Sequence, residues 1–203
     1  MIRKLRFTVP LLAVIASYIW IFVRVTPRWA AHAVTAIVLG LSVGRASRTG
    51  EWGLRSSAFL PALRLAVAFT VPAVVVICLA GSHLGTWPGR PHPGRDLAFL
   101  VAWAAGQQFA LQTVLLREAQ AATSRGKGIA LAAAVFGTLH LPNPFLAPVT
   151  LVAAAVWCWI YDRHPNLVPL ALSHALCTLA IIYCLNPALT GHLRVGYAYL
   201  QLR

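Results

Sequence analysis

Six polar side chains are set in stretches that are otherwise apolar: Gln107, Gln108, Gln112, His140, His174 and Thr178, with Phe136 as an aromatic neighbour. Gln108 and Gln112 are four residues apart, as are Phe136 and His140, and His174 and Thr178. On helices this spacing puts each pair on one stripe. Three helices that each offer such a stripe can line one polar site between them. The glutamines can donate and accept hydrogen bonds but cannot take up a proton. The histidines can serve as general bases. A primary amide in hydrocarbon costs free energy unless it is paired, so these groups are expected to face other helices or a wet cavity.

The remaining titratable residues do not complete a charged site. The four acidic residues are Glu51, Asp96, Glu118 and Asp162. Glu118 lies eleven residues after Gln107, on nearly the same helical face but about 16 Å further along the axis, too far to share a water. Two histidines without a carboxylate or thiolate make an incomplete zinc site, so no metal and no cofactor is expected. Cys78, Cys158, Cys177 and Cys184 all fall in apolar stretches without metal-type spacing and are expected to be buried free thiols.

The elements that must hold these groups are membrane helices. The chain has 203 residues, 59% hydrophobic and 10% charged, too few charges for the surface of a soluble domain of this length. Continuous apolar runs without period-two alternation exclude a β-barrel. The fold expected is an all-α polytopic bundle, one membrane domain over residues 1–203 with about seven transmembrane helices, near 8–24, 29–44, 59–84, 97–118, 128–141, 146–161 and 166–185. The second, fifth and sixth runs are short for a bilayer that takes roughly 20 residues per crossing. The first run lacks a small-x-small site after it and is expected to remain as a helix. Gln107 and His174 then fall near mid-depth, and His140 toward the outer end of the fifth run.

The net charge of +13 does not point to nucleic acid, because the basic residues cluster between the apolar runs as loop charges do. With the N-terminus inside, the inner segments carry Arg3, Lys4, Arg6, Arg45, Arg48, Arg55, Arg117, Arg125, Lys127 and Arg163, and the outer ones Arg24, Arg28, Arg90, Arg95, Arg194 and Arg203. That bias predicts a cytoplasmic N-terminus, and the location expected is a bacterial inner (plasma) membrane. Residues 45–59 mix Trp52, Leu54 and Phe59 with charges and suit the interface. Residues 87–96, rich in Pro and Gly, read as a loop. The tail from Gly191 combines aromatics and arginines, again suited to an interface.

The stretches "QQFALQ", "FGTLH" and "HALCT", in that order, resemble the three motifs of the CPBP family of membrane endopeptidases, the CAAX proteases and bacteriocin-processing (Abi) proteins. The family's first motif is Glu-Glu-x-x-x-Arg, its second Phe-x-x-x-His and its third His-x-x-x-Asn or a close variant. The resemblance covers about residues 97–185. It implies an intramembrane endopeptidase fold and carries Gln107 onto the base that activates water, Gln108 onto its neighbour, Gln112 onto the arginine, His140 and His174 onto the histidines that hold the water and the oxyanion, and Thr178 onto the asparagine. Phe136 falls on the aromatic of the second motif. Here both signs of the first motif are absent together: Gln keeps the shape of Glu without its basicity, and loss of the arginine avoids an unpaired buried charge.

Two functions follow from the resemblance. One is a divergent or inactive endopeptidase homologue acting on membrane-associated protein tails. The other is a non-catalytic protein that binds a lipidated or membrane-embedded partner in the former active-site cavity. Either way the expected partners are membrane lipids and a membrane-anchored protein or peptide. A transporter is disfavoured, because no charged relay crosses the spans.

Overall fold

Each apolar run folds as a helix, because a chain in hydrocarbon must satisfy its backbone groups within the segment. The structure, a computed structural model, describes residues 2–27, 29–87 and 92–202, with backbone only at residues 2 and 3. Arg28, Arg90, Arg203 and the Arg3 side chain, used in the loop-charge comparison, lie outside the described residues, as does the centre of the loop 87–96. The helices are α1 (Thr8–Trp20), α2 (Trp29–Thr49), α3 (Phe59–His83), α4 (Pro93–Phe109), α5 (Arg117–Ala122), α6 (Arg125–Thr138), α7 (Leu146–Arg163), α8 (Leu167–Cys184) and the short α9 (Gly196–Leu200). A π-helical stretch, Ala110–Leu116, joins α4 to α5.

Four helical segments are long and apolar enough to cross a bilayer alone: Trp29–Thr49, Ser56–His83, Pro93–Ala122 and Leu167–Cys184. Of their apolar windows, 22% and 17% are buried in the first two but 56% in each of the last two. The first two are therefore peripheral and the last two central. It is the central pair that carries Gln107, Gln108, Gln112, His174 and Thr178. The 14 residues of α6 extend about 21 Å, short of the ~30 Å hydrocarbon core. This helix is packed along α7, where Gly137 leaves room for Ala147 and Leu151.

The core joins the π stretch to α6, α7 and the start of α8 through Leu111, Val114, Leu116, Phe136, Trp157 and Ile160. All seven residues of Ala110–Leu116 are buried. A π stretch inserts extra chain into the helical repeat and is commonly found at functional sites; here it begins two residues after Gln108 and contains Gln112.

Three of the four acidic side chains gather at one end of the bundle. Glu118, 7% exposed, accepts from Phe7 N at 3.1 and 3.2 Å and from Thr8 N at 2.8 Å. It thereby satisfies open N–H groups at the start of α1. Glu51 accepts from Arg117 Nε at 2.5 Å and lies 3.5 Å from Arg45. Asp162 pairs with Arg125 and accepts from Gln120 Nε2 at 2.9 Å. Asp96, at the opposite end, accepts from the Tyr183 hydroxyl at 2.9 Å.

The segment after α2 seals the first of these ends. Gly53 O accepts from Leu167 N at 2.8 Å, and Asn166 Nδ2 donates to Arg55 O at 3.0 Å. Trp52 and Leu54 remain exposed. The C-terminal tail closes the other end. Gly196 N donates to Leu141 O at 2.8 Å, and the Arg24 guanidinium sits 4.2 Å from the centre of the Tyr197 ring.

Candidate functional site

The polar residues of α4, the π stretch and α8 form a directed chain. Gln112 Nε2 donates to Gln108 Oε1 at 3.0 Å, and Gln108 Nε2 lies 3.4 Å from His174 Nδ1. An amide nitrogen can only donate, so Nδ1 of His174 accepts and its proton resides on Nε2. Gln108 and Gln112 are both fully buried. Gln112 Oε1 has no hydrogen-bond partner among the described residues.

His140 has the opposite polarity. Its Nδ1 lies 2.7 Å from Phe136 O. A carbonyl can only accept, so Nδ1 donates and Nε2 is left as an acceptor. The two histidines thus present one N–H donor and one bare nitrogen. The Phe136 ring lies against both, with its centroid 4.9 Å from that of His140 and 6.3 Å from that of His174. The second and third segments meet at this ring, and the first reaches His174 through Gln108.

Beside this chain lies a cavity of about 350 Å³ between α1, α2 and α4, with His140 and Val195 at one end. Gln107, Phe136 and His140 line it; the rest of its wall is mainly apolar, including Ile15, Val38, Trp103 and Leu111. The seven expected residues are thereby divided. Gln107, Phe136 and His140 face the cavity; the buried Gln108 and Gln112 and the half-buried His174 form the chain behind it; Thr178 stands one turn beyond His174 on α8, also half-buried. The i, i+4 reading of Gln108 and Gln112 agrees with their hydrogen bond.

Several supporting residues carry no signal in the sequence. Trp157 of α7 stacks on His174 with centroids 4.6 Å apart, and its Nε1 donates to Ser173 Oγ at 3.0 Å. Ser173 Oγ is also 2.6 Å from Thr70 Oγ1 on α3. The His174 ring is therefore fixed from one side by a stacked indole, itself held by its own hydrogen bond. A tryptophan inside an apolar run reads as core, and only its contact with α8 reveals the role. Val195 joins the cavity wall because the tail folds back, which a local pattern does not encode.

The site holds no charged side chain. Glu51, Glu118 and Asp162 are engaged at one end of the bundle, and Asp96 at the other. Among the described residues, no three His, Cys, Asp or Glu side chains converge as metal ligands. What the arrangement offers is a neutral set of hydrogen-bonding groups at the wall of an apolar cavity.

Residues 95–180 match the family described as type II CAAX prenyl endopeptidase Rce1-like. The matched stretch runs from the start of α4 into the last third of α8 and contains every residue of the site except the walls supplied by α1, α2 and the tail. No curated protein and no solved structure matches the chain.

Proposed function

We propose, from the match of residues 95–180 to the type II CAAX prenyl endopeptidase Rce1-like family, that the cavity receives a lipidated or membrane-embedded protein tail and holds it without that family's glutamate-dependent proteolysis. The observation that carries this reading is the neutral chain Gln112–Gln108–His174 beside a largely apolar cavity, with all four carboxylates committed elsewhere. An amide cannot deprotonate a water. At the cavity wall the Gln107 amide can hydrogen-bond a peptide carbonyl or N–H, and the His140 lone pair can accept from an N–H. The apolar wall suits a lipid chain, which gains about 0.8 kcal/mol for each buried CH₂.

A second reading rests on His140. Its Nε2 is free to accept a proton and the residue lines the cavity, so histidine-based hydrolysis of the same substrate class is the competing mechanism. The loop charges support a cytoplasmic N-terminus. That would put the mouth of the cavity, near Ile19, Ala31 and Val195, in the outer half of the bundle.

The experiment is binding of a fluorescent farnesylated peptide to the purified protein in detergent. Gly106 lines the cavity, and a side chain added there would meet Leu39 at ordinary contact distance, 3.6 Å from its Cδ2. Gly106→Phe should fill the cavity and weaken binding by about tenfold or more, equivalent to about 1.4 kcal/mol, with an unchanged unfolding temperature. Equal affinity of the two proteins would show that the peptide does not use this cavity.

A further inference from the structure

Cys78 of α3 and Cys184, the last residue of α8, bring their Sγ atoms to 2.8 Å. The helices are held there by contacts that do not involve sulfur. Gly81, one turn beyond Cys78, has no side chain, and the carbonyl of Cys184 occupies the space a Cβ would need. Thr86, just past the end of α3, donates through its hydroxyl to Cys184 O at 3.0 Å and through its N–H to Gly81 O at 2.9 Å. The backbone itself fixes the approach, and the two thiols sit within an ångström of the ~2.05 Å that a disulfide requires.

Both helices end at the face that carries Asp96, opposite the cluster of Glu51, Arg117 and Asp162. By the loop charges this is the non-cytoplasmic face, where disulfides form and persist. Cys78 is partly exposed and Cys184 buried. Cys78 lies five residues before the end of α3, about 8 Å from it along the axis, within reach of a small oxidant.

We propose that Cys78 and Cys184 are a redox-active pair that closes to a disulfide stapling α3 to α8. The Cys78 thiolate attacks a small-molecule or protein disulfide, having lost its proton to solvent, and expels one thiolate. The Cys184 sulfur, likewise deprotonated, then attacks Cys78 Sγ in the mixed disulfide and expels the second. The two protein thiols are oxidised and the donor disulfide is reduced to two thiols, so electrons and protons balance. The bond joins positions 106 residues apart and fixes α3 to the helix that carries His174. It does not depend on the protein-tail reading of the cavity.

The test is alkylation of the full chain with iodoacetamide in denaturant, read as intact mass, after membranes have been incubated with oxidised glutathione. The chain has four cysteines. Wild type should take two labels without prior reduction and four after it, while Cys78→Ser should take three in both cases. Four labels on unreduced wild type would overturn the proposal. A Cys78→Ser protein that still hides two thiols would also overturn it, since the bond would then join other cysteines.

Discussion

Asn143→Leu is expected to cost about 4 kcal/mol or more of stability, although Asn143 does not line the cavity and its backbone N–H, which donates to His140 O at 3.2 Å, is untouched by the change. The residue is fully buried and uses both ends of its amide. Nδ2 donates to Thr190 O and Arg194 O, each at 3.0 Å, and Oδ1 accepts from Phe145 N at 3.0 Å and Leu146 N at 2.9 Å. One side chain thus caps the start of α7, shapes the turn that follows His140 and anchors the C-terminal tail. Leucine would strand two N–H groups and two carbonyls, and each buried polar group left without a partner costs roughly 1–3 kcal/mol. Asn143→Asp separates the roles. It retains an acceptor for the α7 amides but removes the donor to the tail, so the tail should become sensitive to protease while α7 remains folded. Thermal unfolding in detergent, with limited proteolysis alongside, measures both. A leucine variant as stable as wild type would mean that the amide does not hold these segments.

The second large effect lies in the buried chain. Gln108→Glu alone places a carboxylate at a fully buried position with no cation beside it, an uncompensated charge of the kind that costs roughly 3–5 kcal/mol. Gln112→Arg alone is the mirror case. Together they form an i, i+4 pair with the acid N-terminal to the base, the favourable order. The double variant should therefore be more stable than the sum of the single changes predicts, with a coupling of about 1–3 kcal/mol. Gln107 faces the cavity, whereas Gln112 bonds to Gln108, so the same cycle built on Gln107→Glu and Gln112→Arg should show the smaller coupling. Denaturant unfolding of the four proteins in each cycle gives both numbers. Additive effects at 108 and 112 would show that these positions do not form one constellation.

The apolar runs and the polar residues stranded in them were legible in the sequence for a single physical reason: hydrocarbon penalises unpaired polar groups, so each one retained stands out. The same contrast exposed Gln108, Gln112, His140 and His174. Other features depend on contacts that no local pattern encodes. The π stretch from Ala110 to Leu116 contains no Gly or Pro to mark it, and its register follows from packing on α6 and α7. Trp157 looks like any apolar residue until Ser173 and His174 meet it. Glu118 resembles a solvated residue near a helix end, yet it is buried because α1 brings Phe7 N and Thr8 N to it across more than a hundred residues of chain. The spacing of Asn143 from the tail hid its role in the same way.

The neutrality of the site is tested most directly by mass spectrometry of a farnesylated CAAX-type peptide incubated with the purified wild-type protein. Binding without a truncated product is expected, with the peptide recovered intact at the rate of a protein-free control. Release of the terminal tripeptide above that control, abolished by His140→Ala, would contradict a non-proteolytic cavity and establish histidine-based hydrolysis in its place.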